Sequence, residues 1–204
     1  DTASAVCVEL LDPQPDTLVL DCCAAPGGKT FYIAERMHNQ GTVISCDIYE
    51  HKLEKIQAGA QRLGLSIVQP TLQDAAQPRA EWVEKADSVL CDVPCSGMGI
   101  IRKKPEIRYK DADEIQNLPE IQKKILENCA NYVKPGGTLV YSTCTILERE
   151  NQAVVQEFLQ QHPEFEAVPI EHPVFGTSEN GMITLLPSIH DTDGFFIAKL
   201  RRLT

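Results

Sequence analysis

Apolar positions along this chain follow two alternating rhythms. Short apolar runs of strand length lie at residues 18–23, 42–47, 66–69 (the weakest), 88–93 and 138–141, each bounded by turn residues such as Gly27-Gly28, Gly41 or Pro135-Gly136-Gly137. Between them the apolar residues recur at helical spacing. A helix is predicted over about 29–38. A second over 50–63 carries Leu53, Ile56, Ala60 and Leu63 on one face and stops at Gly64. A third begins near Pro119, with Ile121, Ile125, Leu126, Cys129 and Val133 as its stripe. A fourth opens at Thr145, where Glu148 completes a capping-box signature, and continues through Val154, Val155, Phe158 and Leu159. Strand candidates at 165–170, 183–186 and 194–200 close the chain, with no clear helix between the last two. Strands alternating with helices imply right-handed βαβ units and a mostly parallel α/β sheet, and the ending implies an antiparallel strand inserted last. No internal repeat and no second domain is evident, so residues 1–204 are expected to form one domain.

Composition narrows this picture. A chain of 204 residues that is 43% hydrophobic can bury one full core. Its longest apolar runs fall far short of the ~20 residues of a membrane span, and no charged-then-apolar leader is visible. The sequence starts at Asp1 rather than Met, the expectation for a fragment or a processed product. The eight cysteines include no CxxC pair, and no histidine pair has zinc-ligand spacing, so no metal is expected. Free thiols in a reducing cytoplasm are the expectation, with Cys7, Cys46, Cys91 and Cys129 as small core residues. The formal net charge of -10 argues against nucleic-acid binding by the surface as a whole. One stretch differs: residues 100–110 hold Arg102, Lys103, Lys104, Arg108 and Lys110 against Glu106 alone, a guide for an anionic substrate.

Candidate chemistry sits where strands end. The loop Ala24-Ala25-Pro26-Gly27-Gly28-Lys29-Thr30 follows the first strand. It lacks the first glycine of a phosphate-binding P-loop, because Cys23 stands there, and it lacks GxGxxG. Triphosphates and dinucleotides are therefore disfavoured. Asp47 lies 19 residues beyond Gly28 at the end of the second strand, where an acid accepts hydrogen bonds from ribose hydroxyls. A ribose without a pyrophosphate points to S-adenosylmethionine, and Asp74 after the third strand is placed for the adenine amino group. Two further strands lead directly into Cys95 (in Pro94-Cys95-Ser96-Gly97) and Cys144 (in Ser142-Thr143-Cys144-Thr145). Both thiols are nucleophile candidates facing one pocket. Spacing alone does not rank them.

These segments resemble the cytosine-5 RNA methyltransferases of the Sun (RsmB) family. Residues 21–30 are similar to that family's cofactor loop. The stretch 92–99, continuing to Arg102, Pro105 and Arg108, resembles its Pro-Cys segment; 136–145, with Glu150-Asn151 beyond, resembles its Thr-Cys segment; Gly194-Phe195-Phe196 matches its closing strand. Val93, Tyr109 and Thr145 depart from the residues usual there, and none of these removes a reactive group. The lead-in and tail look most like the branch that methylates 16S ribosomal RNA.

The resemblance implies a Rossmann-like class I S-adenosylmethionine-dependent methyltransferase: a mostly parallel seven-stranded sheet with an antiparallel last-inserted strand. It implies Cys144 as nucleophile, Cys95 in product release, Asp92 polarising the base and Lys29 supporting it. It further implies a cofactor site from Cys23, Ala24, Ala25, Pro26, Gly27, Gly28, Lys29, Asp47, Asp74 and Asp92. RNA contacts would fall to Arg102, Lys103, Lys104 and Arg108, and a loop or bulge would present the unstacked cytosine. Family members of this type also carry an N-terminal RNA-binding region resembling the antitermination factor NusB, absent from this sequence. A monomer acting on ribosomal RNA, away from membranes, is the expectation. Methylation of transfer or other RNA, a methyltransferase for DNA (whose cytosine-5 enzymes use Pro-Cys as the nucleophile) or for a small molecule, and a non-catalytic RNA assembly factor on the same fold are the alternatives.

Overall fold

The computed structural model describes residues 2–111 and 115–204. In chain order its elements begin with α1 (Thr2–Leu11), β1 (Thr17–Asp21), α2 (Gly28–Arg36), β2 (Gly41–Asp47), α3 (Glu50–Leu63) and β3 (Val68–Leu72). Then come β4 (Ala86–Asp92), α4 (Leu118–Tyr132), β5 (Val133–Thr143), α5 (Gln152–Gln161), β6 (Phe165–Ala167), β7 (Ile170–His172), β8 (Gly176–Ser178), β9 (Met182–Leu185), α6 (Pro187–His190) and β10 (Phe195–Arg202). The main sheet follows the path β3-β2-β1-β4-β5-β10-β6. Its first five strands are parallel, and β10 is inserted antiparallel between β5 and β6. This is the expected Rossmann-like methyltransferase topology. One strand is added: β9 pairs with the first half of β10, while β6 takes its second half.

The strands read as continuous apolar runs because both faces of the sheet are covered. Val19, Leu90, Val140 and Ile197 point into a core closed by α1, α2 and α3, with Cys7, Ile33 and Ile56 among its buried members. Their neighbours Leu20, Val89, Leu139 and Phe196 point the other way, onto Leu126 and Cys129 of α4 and Val155 and Phe158 of α5. Each fully buried large side chain contributes roughly 2 kcal/mol.

Parallel pairing has one consequence for function. The carboxyl ends of β1, β2, β4 and β5 finish on the same side, bringing Asp21, Asp47, Asp92 and Thr143 to a common edge.

Four local expectations differ from the structure. Helix α1 gives little sequence signal, since it has no acidic first turn and no basic last turn, and most of it is buried. The third strand runs two residues later than expected and contains Pro70, tolerated because β3 is an edge. Val133 opens β5 rather than closing α4, and Ile121 is exposed. Thr145 and Glu148 form no capping box. The Thr145 hydroxyl bonds Ser96 Oγ and the Leu147 N–H, and the helix starts only after Asn151.

Candidate active site

Strands β4 and β5 lie side by side in register, with Asp92 opposite Ser142. The loops that leave them therefore start together. Cys95 Sγ and Cys144 Sγ approach to 3.3 Å, although 49 residues separate them in sequence. Two thiols in contact share protons. The contact with Cys95 lowers the Cys144 thiol below its ordinary value; burial and Asp92 oppose this, and the Lys29 cation assists it. Cys95 is pushed up by the same contact and by burial.

Asp92 stands next to this pair with both oxygens engaged. Its Oδ2 accepts from Lys29 Nζ at 2.7 Å, and its Oδ1 from Ser142 Oγ at 2.7 Å. Burial works against the Lys29 ammonium, but Asp92 overrides it and holds Lys29 charged above its ordinary value. Lys29 reaches this position from the first turn of α2, two residues after Gly27, the helix cap, whose φ is +108°. A Cβ at Gly27 would meet the Phe31 ring at 2.6 Å, so only glycine fits the turn.

Two adjoining cavities share this site. The smaller, about 190 Å³, is lined by Cys23, Ala24, Ala25, Pro26, Gly28, Lys29 and Asp92, joined by Ser4 and Asp21. The larger, about 440 Å³, runs from Asp74, Ala75 and Ala76 past Asp47, Ile48 and Tyr49 to Asp92, Cys95 and Cys144. Of the cofactor-site residues expected from Cys23 to Lys29, Gly27 lines neither cavity. Asp47 Oδ1 accepts the Tyr49 N–H at 3.0 Å and lies 3.7 Å from Lys52 Nζ. Asp74 Oδ1 accepts the Ala76 N–H at 2.9 Å.

Several residues escaped the sequence reading. Asp21 is fully buried. Its Oδ2 accepts from Thr30 Oγ1 at 2.7 Å, and its Oδ1 has no partner among the described residues. Burial raises its carboxyl to about 6 despite the Thr30 hydrogen bond. Ser142, which anchors Asp92, gave no signal, because register alone brings it there. Ile48 and Tyr49 did leave one: they are half-exposed apolar residues immediately after an acid at a strand end.

The basic segment is less open than its composition implies. Lys103 Nζ contacts Asp193 Oδ2 at 2.6 Å, and Arg102 lies 3.6 Å from Asp193 Oδ1. Lys104 and Arg108 are exposed, as is Tyr109 between Arg108 and Lys110. Lys110 Nζ donates to Ser96 O at 2.8 Å, tying the segment to the Cys95 loop. Among the described residues no cluster of three or more His, Cys, Asp or Glu could hold a metal, and no helix is long and apolar enough to cross a membrane.

A family model described as 16S rRNA methyltransferase RsmB/F matches residues 8–201. The chain belongs to this family. It is 44% identical to a probable ribosomal RNA small subunit methyltransferase B of Bacillus subtilis, over 99% of this chain and 47% of that protein. The ribosomal RNA small subunit methyltransferase B of Vibrio cholerae is 39% identical, over 99% of this chain and 45% of its own length. The chain thus spans about half the length of the curated relatives it matches. Among solved structures, NSun6 from Pyrococcus horikoshii with SFG superposes with a TM-score of 0.84 at 30% identity, covering 99% of this chain and 52% of that one.

Proposed function

We propose that residues 1–204 are the catalytic domain of an S-adenosylmethionine-dependent RNA (cytosine-5)-methyltransferase acting on 16S ribosomal RNA. The observation that carries this reading is the 3.3 Å approach of two thiols beside an ion-paired carboxylate in one cavity. The family description and the relatives' names support the substrate. NSun6 with SFG, an S-adenosylmethionine analogue, supports the methyl donor. Eight free cysteines fit a reducing cytoplasm.

The residues present fit the donor. A cavity of about 440 Å³ is in the range of small-molecule sites, and a Cβ at Gly28 would meet no protein atom within 4 Å, leaving the backbone open to a ligand. Residues 23–29 would hold the amino-acid end, Asp47 the ribose and Asp74 the adenine. Bound S-adenosylmethionine supplies an electrophilic methyl group.

Carbon 5 of cytosine is a poor nucleophile. The Cys144 thiolate forms a bond to carbon 6, breaking the ring's aromaticity and making carbon 5 enamine-like. After methylation a base removes the carbon 5 proton. The electron pair restores the ring double bond and expels the Cys144 sulfur, assisted by Cys95. Asp92 hydrogen-bonds the ring nitrogen where negative charge develops. Cytosine N3 carries no hydrogen, so Asp92 makes that contact as the donor, through a proton on its carboxyl, while the Lys29 ammonium and Ser142 Oγ hold its two oxygens in place. The target base must leave its stack to enter the cavity, and Lys104 and Arg108 would meet the phosphates.

The test is methyl transfer from tritiated S-adenosylmethionine by the full-length protein, on ribosomal RNA and on DNA. Cys144→Ala is expected to be inactive. Cys95→Ala is expected to accumulate an RNA–protein adduct that survives denaturing electrophoresis. Normal turnover by Cys144→Ala would overturn the role assignment, and preferential labelling of DNA would overturn the substrate.

A further inference from the structure

Just beyond Cys144 lie two buried polar residues that the chemistry above does not use. Glu150 and Asn151 are adjacent and each 0% exposed. Glu150 Oε2 accepts the Ser96 N–H at 2.9 Å and Gln122 Nε2 at 3.0 Å, and the same Gln122 nitrogen donates to Pro94 O at 3.0 Å. Together they grip the residues on either side of Cys95. Asn151 Oδ1 accepts Thr143 Oγ1 at 2.6 Å, and its Nδ2 donates to Thr145 O at 3.0 Å, gripping the residues on either side of Cys144. Ser96 Oγ and Thr145 Oγ1, 2.8 Å apart, join the two loops directly. Tyr141 OH donates to Glu150 O at 2.6 Å and fixes the pair to β5.

This arrangement is costly as a packing solution. Among the described residues no cation pairs with the Glu150 carboxylate, and its Oε1 and the Gln122 Oε1 have no partner. Apolar side chains of similar volume would avoid that desolvation penalty. What they would not supply is direction, because hydrogen bonds fix backbone orientation and apolar contacts do not.

We propose that Glu150 and Asn151 are positioning residues: one dipeptide braces the backbone flanking both cysteines and sets the spacing of the two sulfurs. This rests on the reading that both thiols serve one substrate.

Cross-linking by diamide reads that spacing without any methyl transfer. One diamide takes two electrons and two protons from the two thiols, becoming the hydrazine and leaving one Cys95–Cys144 disulfide. In the full-length protein the linked peptide is quantified over time by non-reducing mass spectrometry. Asn151→Asp keeps the side-chain shape but turns the donor facing Thr145 O into an acceptor. Glu150→Leu removes the acceptor for Ser96. Each is expected to slow cross-linking about tenfold or more, a scale set by the cost of small misplacements. Glu150→Gln, which retains an acceptor, is expected to stay within about threefold of wild type by the same measure. In parallel kcat should fall while KM for S-adenosylmethionine holds. Ile56→Ala in α3, a destabilising change remote from the loops, should leave cross-linking unaltered.

Unchanged cross-linking in Asn151→Asp, or equal slowing in Ile56→Ala at matched melting temperature, would overturn the proposal. Should Glu150→Leu not fold, Asn151→Asp carries the same test. The two readings fail separately. A wild type that cross-links as expected but transfers no methyl group defeats the function and leaves the bracing. Methyl transfer with variant-independent cross-linking does the reverse.

Discussion

Two regions of this molecule hold cysteines and treat them in opposite ways. Between the sheet and α4, Cys22, Cys91 and Cys129 are buried in the apolar core. Burial pushes Cys91 up to about 11, and Cys22, hydrogen-bonded to Cys129 as well as buried, is raised well above its usual range. Where β4 and β5 end, Cys95 and Cys144 are only partly buried, and Cys144 is lowered. Cys91 and Cys95 belong to the same strand and the loop leaving it, so residue type does not decide the chemistry. A thiol on the inner face of the sheet is fully buried among apolar side chains and other buried thiols, and stays protonated. One just past the strand end meets a second thiol, with Lys29 and Asp92 beside the pair.

The largest expected effect is on reactivity. With iodoacetamide at neutral pH, Cys144 should alkylate at least about a thousandfold faster than Cys91 or Cys129, because both thiolate fraction and access favour it. Site-resolved mass spectrometry of the native protein measures this, and comparable rates at the core thiols would break the comparison.

Asp21 extends the contrast from thiols to a carboxylate. Its folded-state pKa of about 6 lies above the 3.8 of an ordinary aspartate, so the folded protein binds its proton more tightly than the unfolded chain does. The associated stability is fully present below about pH 4 and is lost as pH rises through about 6, a swing of roughly 3 kcal/mol. Urea unfolding of wild type against Asp21→Asn should show that swing only in wild type. Parallel curves would place the burial cost elsewhere.

The smallest effect expected is that of Cys129→Ala. Loss of a buried sulfur should cost about 1 kcal/mol of stability, read in the same urea titration, with methyl transfer unchanged. Loss of activity there would mean that the core thiols are coupled to the site after all.

Much of this was legible in the sequence because the signals were local. The apolar runs of β1, β2 and β4 marked strands, and Gly64 ended α3 where the structure ends it. The acids at strand ends marked the cavity edge. What stayed hidden depended on neighbours distant in sequence. Ser142 became a partner of Asp92 through β4–β5 register, and α1 is held by burial rather than by a charged and an apolar face. The Thr145 hydroxyl, which locally looks like a helix cap, is taken instead by Ser96. Arg102 and Lys103 look free in sequence, but Asp193 engages both.

The sequence by itself determined the alternation of strands and helices, the motif residues and hence the family, since these rest on periodicity and residue identity. Only the tertiary structure decided that Cys95 and Cys144 touch, that Lys29 meets Asp92, and that Glu150 and Asn151 brace both thiol loops. The physical reason is that parallel pairing of β4 and β5 brings together ends separated by a long crossover, and no local pattern encodes a distance across it.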